Sequence, residues 1–265
     1  MIQFAIPSYK RADLLLKKTL TLLELYNVEP SSISVFIDGN DPQEVLSYVS
    51  IASGLEQSFH LIKGVKGLAN QRNLIATHYP IGTQVIQMDD DVDSLQKMVE
   101  DKTIANVKSA ARYKLALLTK AEFWKMAKTG FEQSGLFGIY PVCNGYFMKD
   151  LSPITSDLRF IVGPFFGYTV DSFTRSFKLT LDEKEDSERT LAFYTHYGSV
   201  TRFNRIAVKT KYYSNKGGMQ DGNISNISRL EAAAESVAIL HSRYPKLTFL
   251  FRKKTGMSEL RFKTK

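Results

Sequence analysis

Short β-prone runs alternate with helical patterns through the first ninety residues, and every run stops in a polar or glycine-containing loop. The run over residues 2–6 ends at Pro7, 33–37 at Asp38-Gly39, 59–62 before Gly64, and 85–88 at Asp89. Between them, Leu15, Leu16, Leu20, Leu22 and Leu23 form a broad helical stripe over residues 13–26, and residues 68–78 read as a second helix stopped before Pro80. Such alternation is the signature of βαβ units, so the chain is expected to be α/β, with a Rossmann-like, mostly parallel sheet flanked by helices. Ligands of open α/β sheets sit beyond the carboxyl ends of the strands. One polar cleft is therefore expected, lined by Pro7, Ser8, Tyr9, Lys10 and Arg11, by Asp38 to Asp41, by residues 63–67, and by Asp89, Asp90 and Asp91.

With 43% hydrophobic and 12% aromatic residues among 265, the chain can bury a full core, which excludes a disordered protein. Its single cysteine, Cys143, cannot form an intrachain disulfide. No apolar run approaches the ~18 residues of a membrane span, and residues 1–10 lack a signal-peptide core. The expectation is a soluble, cytoplasmic protein without integral membrane association. No linker-like stretch or internal repeat divides it, so a single domain over residues 1–265 is expected.

Charge is unevenly placed. Residues 1–100 carry 8 basic and 12 acidic side chains, a net −4, whereas residues 101–265 carry 27 and 15, a net +12. An acidic first part with clustered aspartates suits a hard cation, and a basic second part suits an anionic acceptor. Past residue 100, residues 136–148 and 160–169 are expected as glycine-punctuated strands and 229–243 as a helix ended by Pro245. The tail from Lys246 to Lys265, with seven basic residues and one acid, begins with an expected strand at 247–251.

Asp89 and Asp91, at alternate positions of an extended segment, point the same way and can address one ligand. Carboxylate oxygens suit Mn2+ or Mg2+, which neutralises a leaving diphosphate. Asp38 is suited to accept hydrogen bonds from a base or ribose. The glycine loop Gly64 to Gly67 enters the second helix, where free amides with Lys66 and Arg72 are expected to meet an anionic nucleotide. The segments 142–147 and 163–168 combine glycines with aromatics, as stacking on a sugar or base requires.

In order and spacing, "IPSYKR", "VFIDGND", "GVKGLANQRN" and "VIQMDDDV" resemble the nucleotide-sugar half of the GT-A glycosyltransferases, in which an A-R-N-like helix start precedes a D-x-D motif. The resemblance covers residues 1–95 and leaves 96–265 as the acceptor half. It implies a nucleotide-diphosphosugar donor, UDP-linked, with Asp38 near the base or ribose, Asp89 near the ribose or sugar, and Asp91 on a divalent metal. It also implies a catalytic base from an acidic pair at a helix start. In Asp182-Glu183-Lys184-Glu185-Asp186 the choice is Asp186, with Glu185 next and Asp182 a distant third. The chain departs from the family in lacking a well-placed carboxy-terminal histidine ligand; the loop over residues 212–220, through Lys216 or Ser214, is expected to touch the diphosphate instead.

Arg202, Arg205, Lys209 and Lys211 occur without an intervening acid and among aromatics, which suits phosphate contacts and stacking. Phe165 or Phe166 is expected to support a flipped nucleotide. In finer detail the chain resembles the bacteriophage glycosyltransferases of modified pyrimidines and the TET/JBP-associated group, which implies a hydroxymethylated base such as 5-hydroxymethylcytosine in DNA as acceptor. The alternatives are a glycan or lipid-linked acceptor, a non-catalytic nucleic-acid-binding protein, and a nucleotidyltransferase or metal-dependent nuclease.

Overall fold

The computed structural model describes residues 1–54, 59–210, 226–252 and 258–264. Strand β1 (Gln3–Pro7) leads into a helix in three parts: α1 (Ala12–Leu15), a π-helical turn (Leu16–Leu20) and α2 (Thr21–Leu25). β2 (Ile33–Asp38), α3 (Pro42–Ser53), β3 (His60–Gly64), α4 (Leu68–His78) and β4 (Gln84–Met88) complete the first part. There follow β5 (Ser94–Glu100), β6 (Tyr113–Leu117), α5 (Lys120–Gln133), β7 (Leu136–Tyr140), the short α6 (Gly145–Met148), β8 (Ile154–Thr155) and β9 (Phe165–Thr169). The chain continues with α7 (Ser172–Ser176), α8 (Glu185–Tyr197), β10 (Thr201–Lys209), α9 (Asn226–Arg243) and the hairpin β11 (Thr248–Arg252) and β12 (Ser258–Phe262).

One ten-stranded sheet has the order β3-β2-β1-β4-β9-β7-β10-β5-β6, with β8 against β10. The first four strands are mutually parallel, as the βαβ alternation requires. β9 runs antiparallel to both β4 and β7, so β7, and β10 beside it, point the same way as β4. β6, antiparallel to β5, which is antiparallel to β10, shares this direction, so seven strands deliver their carboxyl ends to one edge.

Alternating side chains send Phe4, Ile6 and Phe165 to one face, under Leu15, Leu23, Tyr48 and Phe123. Ala5, Phe36 and Phe166 go to the other, under Ile75, Tyr79 and Phe193. Helices therefore cover both faces. A third cluster, Leu158, Leu191 and Leu240 with Leu260 and Phe262 against it, fixes the hairpin and α9 to α8. Among the described residues no helix is long and apolar enough to cross a membrane.

Several boundaries differ from expectation for local reasons. The strand expected over 136–148 stops at Tyr140, because Pro141 has no N–H to donate and the Asn144 side chain caps α6 by accepting from Tyr146 N. That expected over 160–169 is confined to Phe165–Thr169, after Pro164. Helix α3 begins where Asp41 accepts from Gln43 N and Glu44 N with Pro42 at the first helical position, so the loop expected as ligand lining is a cap.

Candidate active site

At the shared edge, the aspartate loop leaves β4 between two supports. Asp89 N donates to Pro164 O at 3.2 Å, tying it to the start of β9. The Thr210 hydroxyl, just past β10, donates to Asp91 O at 2.9 Å and lies 3.1 Å from Asp91 Oδ1. From below, the fully buried Thr19 of the π-helical turn donates to Asp89 O at 2.8 Å and accepts from Val92 N at 3.0 Å. One residue earlier, Lys18 pairs with Asp93 at 3.2 Å.

The β1 loop meets this turn from the side. Ser8 Oγ donates to Asp90 Oδ2 at 2.5 Å and lies 2.5 Å from Tyr48 Oη, which accepts from Arg11 N at 3.1 Å. With the Ser8 proton directed at Asp90, Tyr48 is the donor to Ser8. One Arg11 nitrogen reaches Asp90 Oδ1 at 3.2 Å and Asp91 Oδ2 at 3.4 Å. Burial pushes the Asp90 carboxyl up to about 7 despite Arg11 and Ser8. Asp90 is therefore the inward member of the triplet.

Across the cleft stands α8. Arg72, 3% exposed, donates to Asp89 Oδ1 at 3.0 Å, Gln87 Oε1 at 3.3 Å and Gly163 O at 3.2 Å, and its Nε lies 3.3 Å from Glu185 Oε1. Arg189, equally buried, donates to Glu185 Oε2 at 2.5 Å and stacks 3.5 Å above the Phe166 ring. Glu185 is thus gripped between two guanidiniums. A Cβ on Gly163 would stand 2.9 Å from Glu185 Oε1 and 3.3 Å from Arg72 Nη2, so only glycine leaves room for this junction. Asp186, partly exposed, has one oxygen on Ser187 N at 2.8 Å. Burial, then the neighbouring Glu185 charge, lifts its carboxyl to about 6. Burial likewise raises Asp89, opposed by Arg72.

Several expected roles are corrected. Phe165 and Phe166 are 0 and 1% exposed and belong to the two core faces, so neither can support a flipped base. Arg202 is 6% exposed, with Nε donating to Asn204 Oδ1 at 2.6 Å, and cannot meet a phosphate. Arg72 contacts buried carboxylates and carbonyls rather than facing an open nucleotide cleft. The α4 amide expected to meet an anion, Ala69 N, instead donates to Asp182 Oδ1 at 2.9 Å, so the exposed Asp182 caps this helix start. Arg205 is half-buried, whereas Lys66 and Lys209 are exposed. Asp38 is buried and accepts from Asn40 N at 3.1 Å; Pro7, ending β1, is buried as well, and Tyr9 is half-buried. Lys211, Ser214 and Lys216 lie outside the described residues. Thr19, Tyr48 and Glu44, whose carboxylate accepts from Lys10 N at 3.0 Å, were missed; Thr19 and Tyr48 sit mid-helix, where the residue type carries no positional signal, and Glu44 reads as an ordinary first-turn acid.

Among the described residues no group of three or more His, Cys, Asp and Glu forms a metal cluster. Mg2+ and Mn2+, however, use one or two carboxylates plus substrate phosphates rather than an all-protein cage. Asp89, whose side chain is 30% exposed beside Asp91, offers the hard oxygen donors such an ion takes.

No protein-family profile matches the chain, and no curated protein matches it in sequence. Solved structures do match. S. aureus TarS 1–349 in complex with UDP-GlcNAc aligns with 91% of this chain and 66% of that one, at a TM-score of 0.54 and 13% identity. The mannosyltransferase PcManGT from Pyrobaculum calidifontis, in complex with GDP-Man and Mn2+, aligns with 91% of this chain and 64% of that one, at 0.51 and 14%. S. aureus TarS 1–349 in complex with UDP gives 91%, 72%, 0.50 and 13%. The chain thus spans about two thirds of the length of the first two. At these identities the likeness is one of fold: the chain adopts the α/β architecture of GT-A-type glycosyltransferases.

Proposed function

We propose that the protein is a glycosyltransferase that moves a sugar from a nucleotide-diphosphosugar, UDP-linked, to the hydroxyl of a modified pyrimidine such as 5-hydroxymethylcytosine in DNA. The observation that carries the reading is the junction at the sheet edge, where Arg72 links Asp89 of the aspartate loop to Glu185, beside Asp186. In this reading Asp89 and Asp91 form the donor side and Asp186 the acceptor side, joined through Arg72 and Glu185. The donor class is supported by the UDP-GlcNAc, UDP and GDP-Man held by structures of the same fold. The net +12 of residues 101–265 supports a polyanionic acceptor.

In this reading Asp91, with Asp89, would hold Mn2+ or Mg2+, whose positive charge would offset that of a leaving diphosphate. Asp38 and the β1 loop orient the nucleoside. Asp186 accepts the proton of the acceptor hydroxyl as that oxygen attacks the anomeric carbon. The carbon–oxygen bond to the diphosphate breaks, and its electron pair departs with the nucleoside diphosphate. Attack from the face opposite the leaving group inverts the anomeric centre. Arg72 and Arg189 fix Glu185, and the short Ser187 amide contact turns one Asp186 oxygen away, leaving the other for the hydroxyl.

The test is labelled-sugar transfer to hydroxymethylated DNA with Asp186→Asn. Transfer is expected to fall by about 10²–10⁴-fold with donor binding near normal; equal loss of both would remove Asp186 from the base role.

A further inference from the structure

We infer that a cavity beside the junction of Arg72, Glu185 and Arg189 is a site for a single monatomic anion of the halide class. The inference goes beyond the glycosyltransferase reading and does not rest on it. The cavity, of about 30 Å³, lies between α4, α8 and the sheet face made by β4 and β9. That is room for a monatomic ion or about one to two waters, and for nothing larger. Phe166, Phe177 and Phe193 form apolar wall, so a charge held there is weakly screened.

The polar wall offers donors. Arg189 lines the cavity and is 3% exposed, and its Nε and Nη2 are buried with no hydrogen-bond partner among the described residues. These two nitrogens share one edge of the guanidinium, the edge whose parallel N–H bonds take an anion side-on. Glu185 is held by Nη1, outside that edge, and the guanidinium carbon stands 3.5 Å over the Phe166 ring. Arg72 brings a second positive charge to the same wall. Tyr168 adds a third free proton: its oxygen accepts from Gln87 Nε2 at 2.9 Å, which leaves its own O–H to donate.

The acceptors along the wall are already engaged. Gln87 Oε1 accepts from Arg72 at 3.3 Å, Asn73 Oδ1 from Leu179 N at 2.8 Å, and Thr174 Oγ1 from Asp171 N at 2.8 Å. A water in this place would accept from two donors but bring two protons of its own to groups that are taken. A halide brings no proton, and its charge answers the guanidiniums. Buried donors of native proteins have partners, and an anion is the acceptor that this wall calls for. By fixing Arg189 it would also fix Glu185, next to Asp186.

The test is the melting temperature of the full chain as chloride replaces gluconate at constant ionic strength, gluconate being too large for the cavity, beside anomalous scattering from crystals grown in bromide. Chloride is expected to raise the melting temperature saturably, as a ligand of the folded state does. Bromide is expected to give a peak in the cavity within hydrogen-bonding distance of Arg189 Nε and Nη2. Tyr168→Phe, which withdraws one donor from a charged acceptor, is expected to weaken the apparent chloride affinity about tenfold or more. Ala76→Val adds two methyl groups to the cavity wall from α4 and is expected to abolish the chloride effect while the protein still melts cooperatively in gluconate. Melting temperatures equal in chloride and gluconate, or a cavity without bromide, would leave water as the occupant and overturn the site. A chloride effect undiminished in Ala76→Val overturns it as well; if that variant does not fold, the bromide peak in the wild type decides.

Discussion

Arg72 carries its charge into the interior, where Asp89, Gln87, Gly163 O and Glu185 surround it. Removing one member of a buried ion cluster strands the others, so Arg72→Ala is expected to cost about 3–5 kcal/mol, read from the urea midpoint. A cost below about 1 kcal/mol, the range of exposed pairs, would contradict the buried junction. Asp186 has the opposite balance. Its folded carboxyl is raised to about 6 by burial and Glu185, so the fold favours the protonated form, and that stability is lost as pH rises through about 6. Asp186→Asn is therefore expected to raise the melting temperature at pH 8, with the gain fading toward pH 4. Transfer needs the ionised carboxylate. Its rate is expected to be full above pH 7 and to fall about tenfold per unit well below pH 6. A rate flat from pH 5 to 8 would exclude Asp186 as the base.

At the scale of elements, the π-helical turn gives Thr19 its reach to both Asp89 O and Val92 N, and π turns recur at functional sites for such displaced side chains. Thr19→Val leaves both groups unbonded in the interior and is expected to cost about 1–3 kcal/mol and to weaken nucleotide binding, with Thr19→Ser restoring both. Unchanged nucleotide affinity would show that the loop keeps its shape unaided. The sequence made β1 to β4 and α4 legible because each strand is an apolar run closed by a turn residue. It also placed the aspartate triplet at a strand end. α5 escaped although Thr119 and Glu122 form a capping box, and β5, β6 and β10 escaped because charged residues interrupt their apolar runs. Phe165 and Phe166 misled for a related reason: an aromatic pair beside glycine reads alike in a binding loop and in a strand buried on both faces.

The whole molecule divides its charge as it divides its sheet. The parallel strands β3-β2-β1-β4 belong to the acidic part, with carboxylates at the ends of β2 and β4, while β7 and β10 belong to the basic part. α8 bridges the two through Glu185. It is in turn latched by Glu188, 1% exposed, which accepts from Thr180 N at 2.8 Å, Leu181 N at 3.1 Å and Arg243 of α9 at 2.7 Å. In the proposed function the aspartate loop binds a nucleotide diphosphate through a divalent ion. Thermal shift with UDP, GDP, CDP and TDP, each with and without Mn2+, on the wild type and Asp91→Asn, tests it most directly. A Mn2+-dependent shift is expected for one nucleotide, about 2.7 kcal/mol at ~100 times its Kd, and Asp91→Asn is expected to abolish it. No shift with any nucleotide in a folded sample, or an equal shift in Asp91→Asn, would contradict it.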